Sequence, residues 1–275
     1  MQRERLVRIV GLSLGLLFAA GVYGQTTQRI VIDGSTGVMP LASALAKAFQ
    51  ERNSGTTVEL GTGLGTKARI QAIDERKIDI ALASHGLDAG EIKRRGMSVH
   101  EVARTAVVFG VNSGVSVANL TDQQICDIYS GTMSNWKLLD GPDLQIAARA
   151  RPDSEVDAEV VRAGIRCLKD LRLPESVKIM PRSGDMAKEL AATAGAIGMT
   201  TLTVTEQSAG KIRPVSINGI APNPGNVEKR AYPLLRESFF VTRSSPSPQV
   251  ARFLEFVRSP DGDKVIRANG AIPVQ

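Results

Sequence analysis

The 275-residue sequence predicts an α/β protein of two lobes with a cleft between them and two crossing segments. Three observations carry this. Short β-rich runs alternate with helical patterns at βαβ spacing, the mark of a parallel sheet with helices on its faces. The alternation comes in two series, the second opening near Thr105. The last amphipathic helix has no partner nearby in sequence, so it is expected to return to the first lobe.

The chain opens with a segment of different character. Arg3, Arg5 and Arg8 precede an apolar run from Ile9 to Val22, followed by small and turn-forming residues. This is the pattern of a secretory signal peptide over residues 1–24, with cleavage expected after Gly24 and export to the periplasm. The run is broken by Ser13 and by glycines, and it is shorter than the ~20 residues of a bilayer span. An uncleaved N-terminal anchor is the alternative. With no cysteine after the run, no lipid anchor is expected there.

In the first lobe, Arg29–Gly34 reads as a strand and Pro40–Arg52 as a helix, where Leu41, Leu45 and Phe49 recur at helical spacing. Proline suits that first helical turn. Thr56–Gly63 is the next strand, followed by a helix from Thr66 through Ile73. Ile78–Ser84 is a third strand, apolar almost throughout as a buried parallel strand should be. The second series runs through a strand at Thr105–Asn112, a helix at Thr121–Tyr129 and a strand at Leu144–Arg151. A helix at Ser154–Lys169, a strand at Val177–Arg182 and a helix at Gly184–Thr193 follow, and then AIGMTTL. The Pro- and Gly-rich stretch Ile220–Gly225 marks a surface connection. A strand, LLRESFFVTR, then leads to the helix carrying Val250, Phe253, Leu254 and Val257. The lobes are expected at 25–104 plus 233–275 and at 105–232. The crossings are expected near Ala103–Val108 and Tyr232–Phe239.

Composition excludes some functions. The formal net charge is +6, from 34 Lys and Arg against 28 Asp and Glu, without a polybasic cluster interleaved with aromatics. A nucleic-acid partner is therefore not expected. Cys126 and Cys167, in an oxidising compartment, favour a structural disulfide over free thiols or a metal site. His85 and His100 are too few and too scattered to complete a metal set. No metal and no cofactor are expected.

The ends of the strands carry the chemistry. Gly34-Ser35-Thr36-Gly37 follows the first strand, Gly61-Thr62-Gly63-Leu64-Gly65-Thr66 the second and Ser84-His85-Gly86 the third. In the second lobe, Arg149 and Arg151 close a strand before Ser154, and Arg182-Ser183-Gly184 repeats the arrangement. Helix N-termini present unpaired N–H groups and a positive dipole end, glycines admit close approach, and hydroxyls add donors. Ligands of open α/β sheets sit beyond the carboxyl ends of the strands, where these loops converge. Any one loop alone is accounted for by ordinary helix capping. Neither GxGxxG nor GxxxxGK[ST] occurs, so a nucleotide site is not indicated.

Four segments together resemble the periplasmic phosphate-binding proteins of phosphate ABC transporters, which have the type II periplasmic binding fold. They are IDGSTGVMPLASALAKAF, GTGLGTKARIQAIDERKIDIALASHGL, LTDQQICDIYSGTMSNWKLLDGPDLQI, and TAGAIGMTTL with FFVTRSSPSPQVARFLEFVRSPDGDKVI. The third is the most specific, through Ile128-Tyr129-Ser130-Gly131 and Asn135-Trp136-Lys137. The resemblance implies a ligand set of Ser35, Thr36, Gly37, Val38, Thr62, Gly63, Ser84, His85, Arg151 and Ser154. It also implies a phosphate or similar oxyanion ligand, an ABC-transporter permease as partner, and a monomer. The chain departs from the family where an Arg is followed by Gly-Ser-Gly-Thr: Arg151-Pro152-Asp153-Ser154-Glu155-Val156-Asp157 brings three carboxylates instead. These repel a phosphate dianion unless they face solvent or pair with Arg149 or Arg151. Capture without chemistry is the leading expectation. A signalling or interaction module that has lost its ligand is second, and a secreted phosphatase-like enzyme third, since no activated nucleophile is visible.

Overall fold

The computed structural model describes residues 28–274. The signal segment expected over 1–24 lies outside the described residues.

The first series comprises β1 (Gln28–Gly34), α1 (Met39–Arg52), β2 (Thr56–Leu60), α2 (Thr66–Asp74), β3 (Ile80–Ala83) and α3 (Ala89–Arg94). β4 (Met97–Asn112) then leads into β5 (Asn119–Leu120), α4 (Asp122–Ser130), β6 (Ala147–Ala150), α5 (Val156–Gly164), β7 (Lys178–Ile179) and α6 (Ser183–Ala192). The second series closes with β8 (Ala196–Thr201), α7 (Leu202–Gln207), β9 (Ile212–Pro214), β10 (Ser216–Ile217) and α8 (Pro224–Glu228). The chain returns through β11 (Leu235–Arg243), α9 (Pro248–Val257), α10 (Pro260–Ala268) and β12 (Ala271–Pro273).

β1 pairs in parallel with both β2 and β3, so their carboxyl ends share one edge. In α1 the stripe Leu41, Leu45 and Phe49 is buried, and Pro40 occupies the first turn, where its missing N–H costs no hydrogen bond. The α9 stripe Val250, Phe253, Leu254 and Val257 packs into the same core as Ile30, Ile32 and Phe49. The expected return of the last helix to the first lobe is met.

A second core gathers Phe109, Ile125, Tyr129, Trp136, Val161, Ile197 and Leu234. The segment IYSGTMSNWK builds its floor. Thr121 and Gln124 form a capping box at the start of α4. The Tyr129 hydroxyl donates to Arg149 O at 2.9 Å and Trp136 Nε1 to Gly195 O at 2.9 Å. The most specific motif of the sequence is therefore scaffold, holding β6, which ends at Ala150 just before Arg151 and is shorter than the expected Leu144–Arg151. Cys126 and Cys167 are bridged, with Cα atoms 6.2 Å apart, tying α4 to the short 3-10 turn after α5.

The sheet runs through both lobes in the order β2-β1-β3-β11-β4-β8-β6-β7. β4 starts at Met97, eight residues before the expected strand, because the crossing is made inside one strand. Met97–Ala106 pairs with β11 and Val107–Val111 with β8. The elements α3, β5, α7, β9, β10, α8, α10 and β12 were not expected, and α8 begins inside the stretch expected to be a surface connection. β12 lies beside β4 with Ala271 in the first core and Ile272 in the second. The helix expected over Ser154–Lys169 is shorter. It starts at Val156 behind a Pro152–Glu155 turn closed by Glu155 N donating to Pro152 O at 2.9 Å. It ends at Gly164, packed against Leu234, before the 3-10 turn.

Candidate ligand-binding cleft

The first-lobe loops are fixed by backbone. Gly34 has φ +135° and lies so close to the backbone of Leu82 that a side chain cannot fit. Ser35 N donates to Leu82 O at 2.9 Å. The buried Asp33 carboxylate ties the first two loops together, its Oδ1 accepting from Gly34 N at 2.7 Å and Gly63 N at 2.8 Å. Val38 turns the chain into α1 and buries its side chain in the core. Thr36 reaches the other lobe: its Oγ1 accepts from Ser183 N at 3.4 Å and lies 3.5 Å from Arg151 Nη2. Thr62 is exposed.

Sequence reading missed Arg236 and Arg69. β11 runs antiparallel to β3 with Phe239 opposite Ala83, so Arg236 stands just past the carboxyl end of β3. Its Nε donates to Ser84 Oγ at 3.1 Å, and Ser84 in turn donates to Glu237 O. Its guanidinium lies where a Cβ on Gly37 would sit, so that loop needs glycine.

The three unexpected carboxylates go to different places. Asp153 turns outward to Arg162 at 2.8 Å. Glu155 accepts from Arg151 Nη2 at 2.9 Å. Asp157 in the first turn of α5 is 2% exposed; it accepts from Arg236 Nη1 and lies 3.8 Å from Arg151 Nε. Arg151 itself is 1% exposed and also donates to Met180 O at 2.7 Å. Because the helix begins two residues late, Ser154 is left exposed in the turn instead of at the helix start, away from this cluster. Arg149 is turned to α6, where Glu189 Oε1 accepts from its Nε at 2.9 Å and Nη2 at 2.7 Å. Those bonds hold the Glu189 carboxyl below its ordinary range.

His85 sits at the rim, its Nδ1 3.2 Å from Glu159 Oε2 on α5. Beneath it, the buried Arg69 of α2 donates through Nη2 to His85 O at 2.5 Å. Burial lowers Arg69 to about 10, against the opposing charge of Glu155, so it stays cationic at neutral pH. At the junction of the lobes, Arg69 Nε, Arg151 Nε, Arg236 Nη2 and Ser183 Oγ are buried donors without an acceptor from the protein. Leaving such donors unpaired costs about 1–3 kcal/mol each, so the arrangement is built to accept electron-rich oxygen. The structure thus brings Thr36, Gly37, Ser84 and Arg151 around one buried cationic centre, while Ser35 is fixed beside them by backbone bonds to Leu82 and α1. It leaves His85 and Thr62 at the margin and Ser154 outside.

A family model, the PBP superfamily domain, matches residues 21–261. The chain belongs to this superfamily. Phosphate-binding protein PstS of Bacillus subtilis is 27% identical over 253 residues, covering 89% of this chain and 80% of that protein. Phosphate-binding protein PstS of Borreliella burgdorferi is 24% identical over 99% of both chains. Among solved structures, one from Clostridium perfringens, assigned as a phosphate ABC transporter substrate-binding protein with bound phosphate, superposes with a TM-score of 0.72. It shares 25% identity and covers 90% of this chain and 100% of that one. The fold of this superfamily member is the two-lobed α/β fold of type II periplasmic binding proteins. Among the described residues, no helix is long and apolar enough to cross a membrane.

Proposed function

We propose that the chain is an exported solute-binding protein that captures a small oxyanion, phosphate first, and hands it to the permease of an ABC importer unchanged. The observation that carries this reading is the set of buried, unpartnered donors at the lobe junction. Arg151 and Ser183 come from one lobe, Arg69 from the other and Arg236 from a crossing strand, so an oxyanion there holds the lobes closed. The names of the relatives and the phosphate in the Clostridium structure make phosphate the first ligand to test. In this reading the lobes divide as 25–104 plus 233–275 and 105–232, and the protein works as a periplasmic monomer. No chemistry on the ligand is required. At the cleft His85 faces Glu159 rather than a hydroxyl.

A second reading has one specific observation in its favour. Asp157 and Glu155 already neutralise the guanidiniums of Arg151 and Arg236, as a module that had lost its ligand would do.

Titration calorimetry of the mature chain, freed of anion by partial unfolding, separates the two readings, with sulfate as the control. Micromolar or tighter phosphate binding is expected. Ser183→Ala tests the site itself. It deletes a hydroxyl with no protein partner, so the melting temperature should hold while affinity falls roughly tenfold or more. Silence toward every oxyanion would discard capture in favour of the second reading.

A further inference from the structure

Beside the lobe junction lies a groove of about 690 Å3 that shares Thr36 and Ser183 with it. A tetrahedral ion of five heavy atoms leaves most of that space unfilled, whereas sites for organic ligands run to ~300–1,000 Å3. The groove wall is largely apolar, from Met39 and Leu60 on the first lobe to Ala187, Ala191 and Ile212 on the second. An inorganic ion has no use for such a surface. At the polar end stands the N-terminus of the ten-residue α6, whose N-cap residue Arg182 makes no capping bond and whose first N–H, of Ser183, is met only by Thr36 Oγ1 at 3.4 Å. There the Ser183 hydroxyl, 4% exposed and without a protein partner, lines the groove. Arg182, Lys188 and Lys211 line it too, against the single carboxylate of Asp185.

We propose that this groove holds the organic part of the ligand, and that the ligand class is a phosphate monoester with a compact apolar substituent. The inference rests on the oxyanion reading above and deepens it. The phosphoryl oxygens take the Ser183 hydroxyl, the Arg151 and Arg236 guanidiniums and the end of α6, where a dianion is favoured. The ester oxygen points away from Asp157, and the substituent lies along the Leu60 and Ala187 walls.

The test is titration of the purified chain with phenyl phosphate and, separately, with inorganic phosphate. Phenyl phosphate is expected to bind at least tenfold more tightly. Ser43→Trp and Ala187→Trp fill the groove from opposite lobes. Each is expected to weaken phenyl phosphate at least tenfold while leaving inorganic phosphate within twofold. Ser43 is exposed, so its variant carries the test even where Ala187→Trp fails to fold. Tight inorganic phosphate, with phenyl phosphate weaker or indifferent to both fillers, overturns the monoester assignment and leaves the oxyanion reading standing. If neither ligand binds, the oxyanion reading falls and this inference with it.

Discussion

Asp157→Asn is the most informative single change, because stability and affinity should move in opposite directions. The carboxylate is buried between two buried guanidiniums, bonded to Arg236 Nη1 and 3.8 Å from Arg151 Nε. Asparagine keeps the shape and one acceptor but removes the charge. At ~4 Å and an effective dielectric near 20, each charge–charge contact is worth about 4 kcal/mol. Breaking such a buried pair from one side costs about 3–5 kcal/mol in measured cases. The ligand-free variant is therefore expected to lose about 3 kcal/mol in urea unfolding, since the amide oxygen retains the Arg236 bond.

Affinity should rise. An anion within ~5 Å of Asp157 is repelled by about 3 kcal/mol per unit charge at the same dielectric. Relief of part of that predicts phosphate binding roughly 10- to 100-fold tighter in Asp157→Asn, measured by calorimetry at neutral pH. Phosphate at ~100 times Kd adds about 2.7 kcal/mol to unfolding, so the ligand should restore most of the lost stability. Weaker phosphate binding by the variant would refute the reasoning. The carboxylate would then be serving the ligand, for instance by accepting its proton, rather than competing with it.

Two further predictions concern the scaffold. The Cys126–Cys167 bridge closes a loop of 41 residues in sequence separation, for which the chain-entropy relation gives about 4 kcal/mol. Cys126→Ser with Cys167→Ser should lower the urea midpoint accordingly, and a midpoint equal to the oxidised wild type would show that the bridge contributes nothing. His100 should make the fold acid-sensitive. Arg258 Nη2 donates to its Nδ1 at 2.7 Å, so Nε2 carries the proton and donates to Thr242 Oγ1 at 3.0 Å. Burial first, and Arg258 second, hold its pKa below 6.5. The unfolded chain thus takes the proton first, and stability present above pH 6.5 is lost as pH falls through that value toward the folded pKa. His100→Gln should flatten the melting temperature over that window, and an unchanged slope would rule His100 out as the cause.

Much of the fold was legible because its signals are local. The α1 stripe, the apolar run of β3 and the unpartnered α9 face each announce a buried surface within a dozen residues. The misplaced boundaries have nonlocal causes. The sheet continues β4 back to Met97 because β11, far along the chain, offers it a partner. The turn at Pro152–Glu155 delays α5, and that two-residue delay directs Asp157 inward and leaves Ser154 outside.

The missed site residues are more instructive, because each lies on a face that sequence periodicity could have exposed. Leu234, Arg236, Ser238 and Phe240 alternate along one face of a strand, and all four are buried. An arginine on that face has to be paired or set to work. Arg69 stands one helical turn before the buried Ile73, and Asp157 one turn before the buried Val161. A search guided by glycine loops and hydroxyls finds the rim of an anion site, since those residues are chosen for backbone geometry. The charges that set its affinity lie inside apolar patterns, where a guanidinium or carboxylate costs several kcal/mol unless it is compensated. Charged residues at core positions are thus the stronger sequence evidence for this cleft. By that criterion Arg236, not Arg151 alone, is its electrostatic centre, because it touches Ser84, Gly37 and Asp157 from three separate elements.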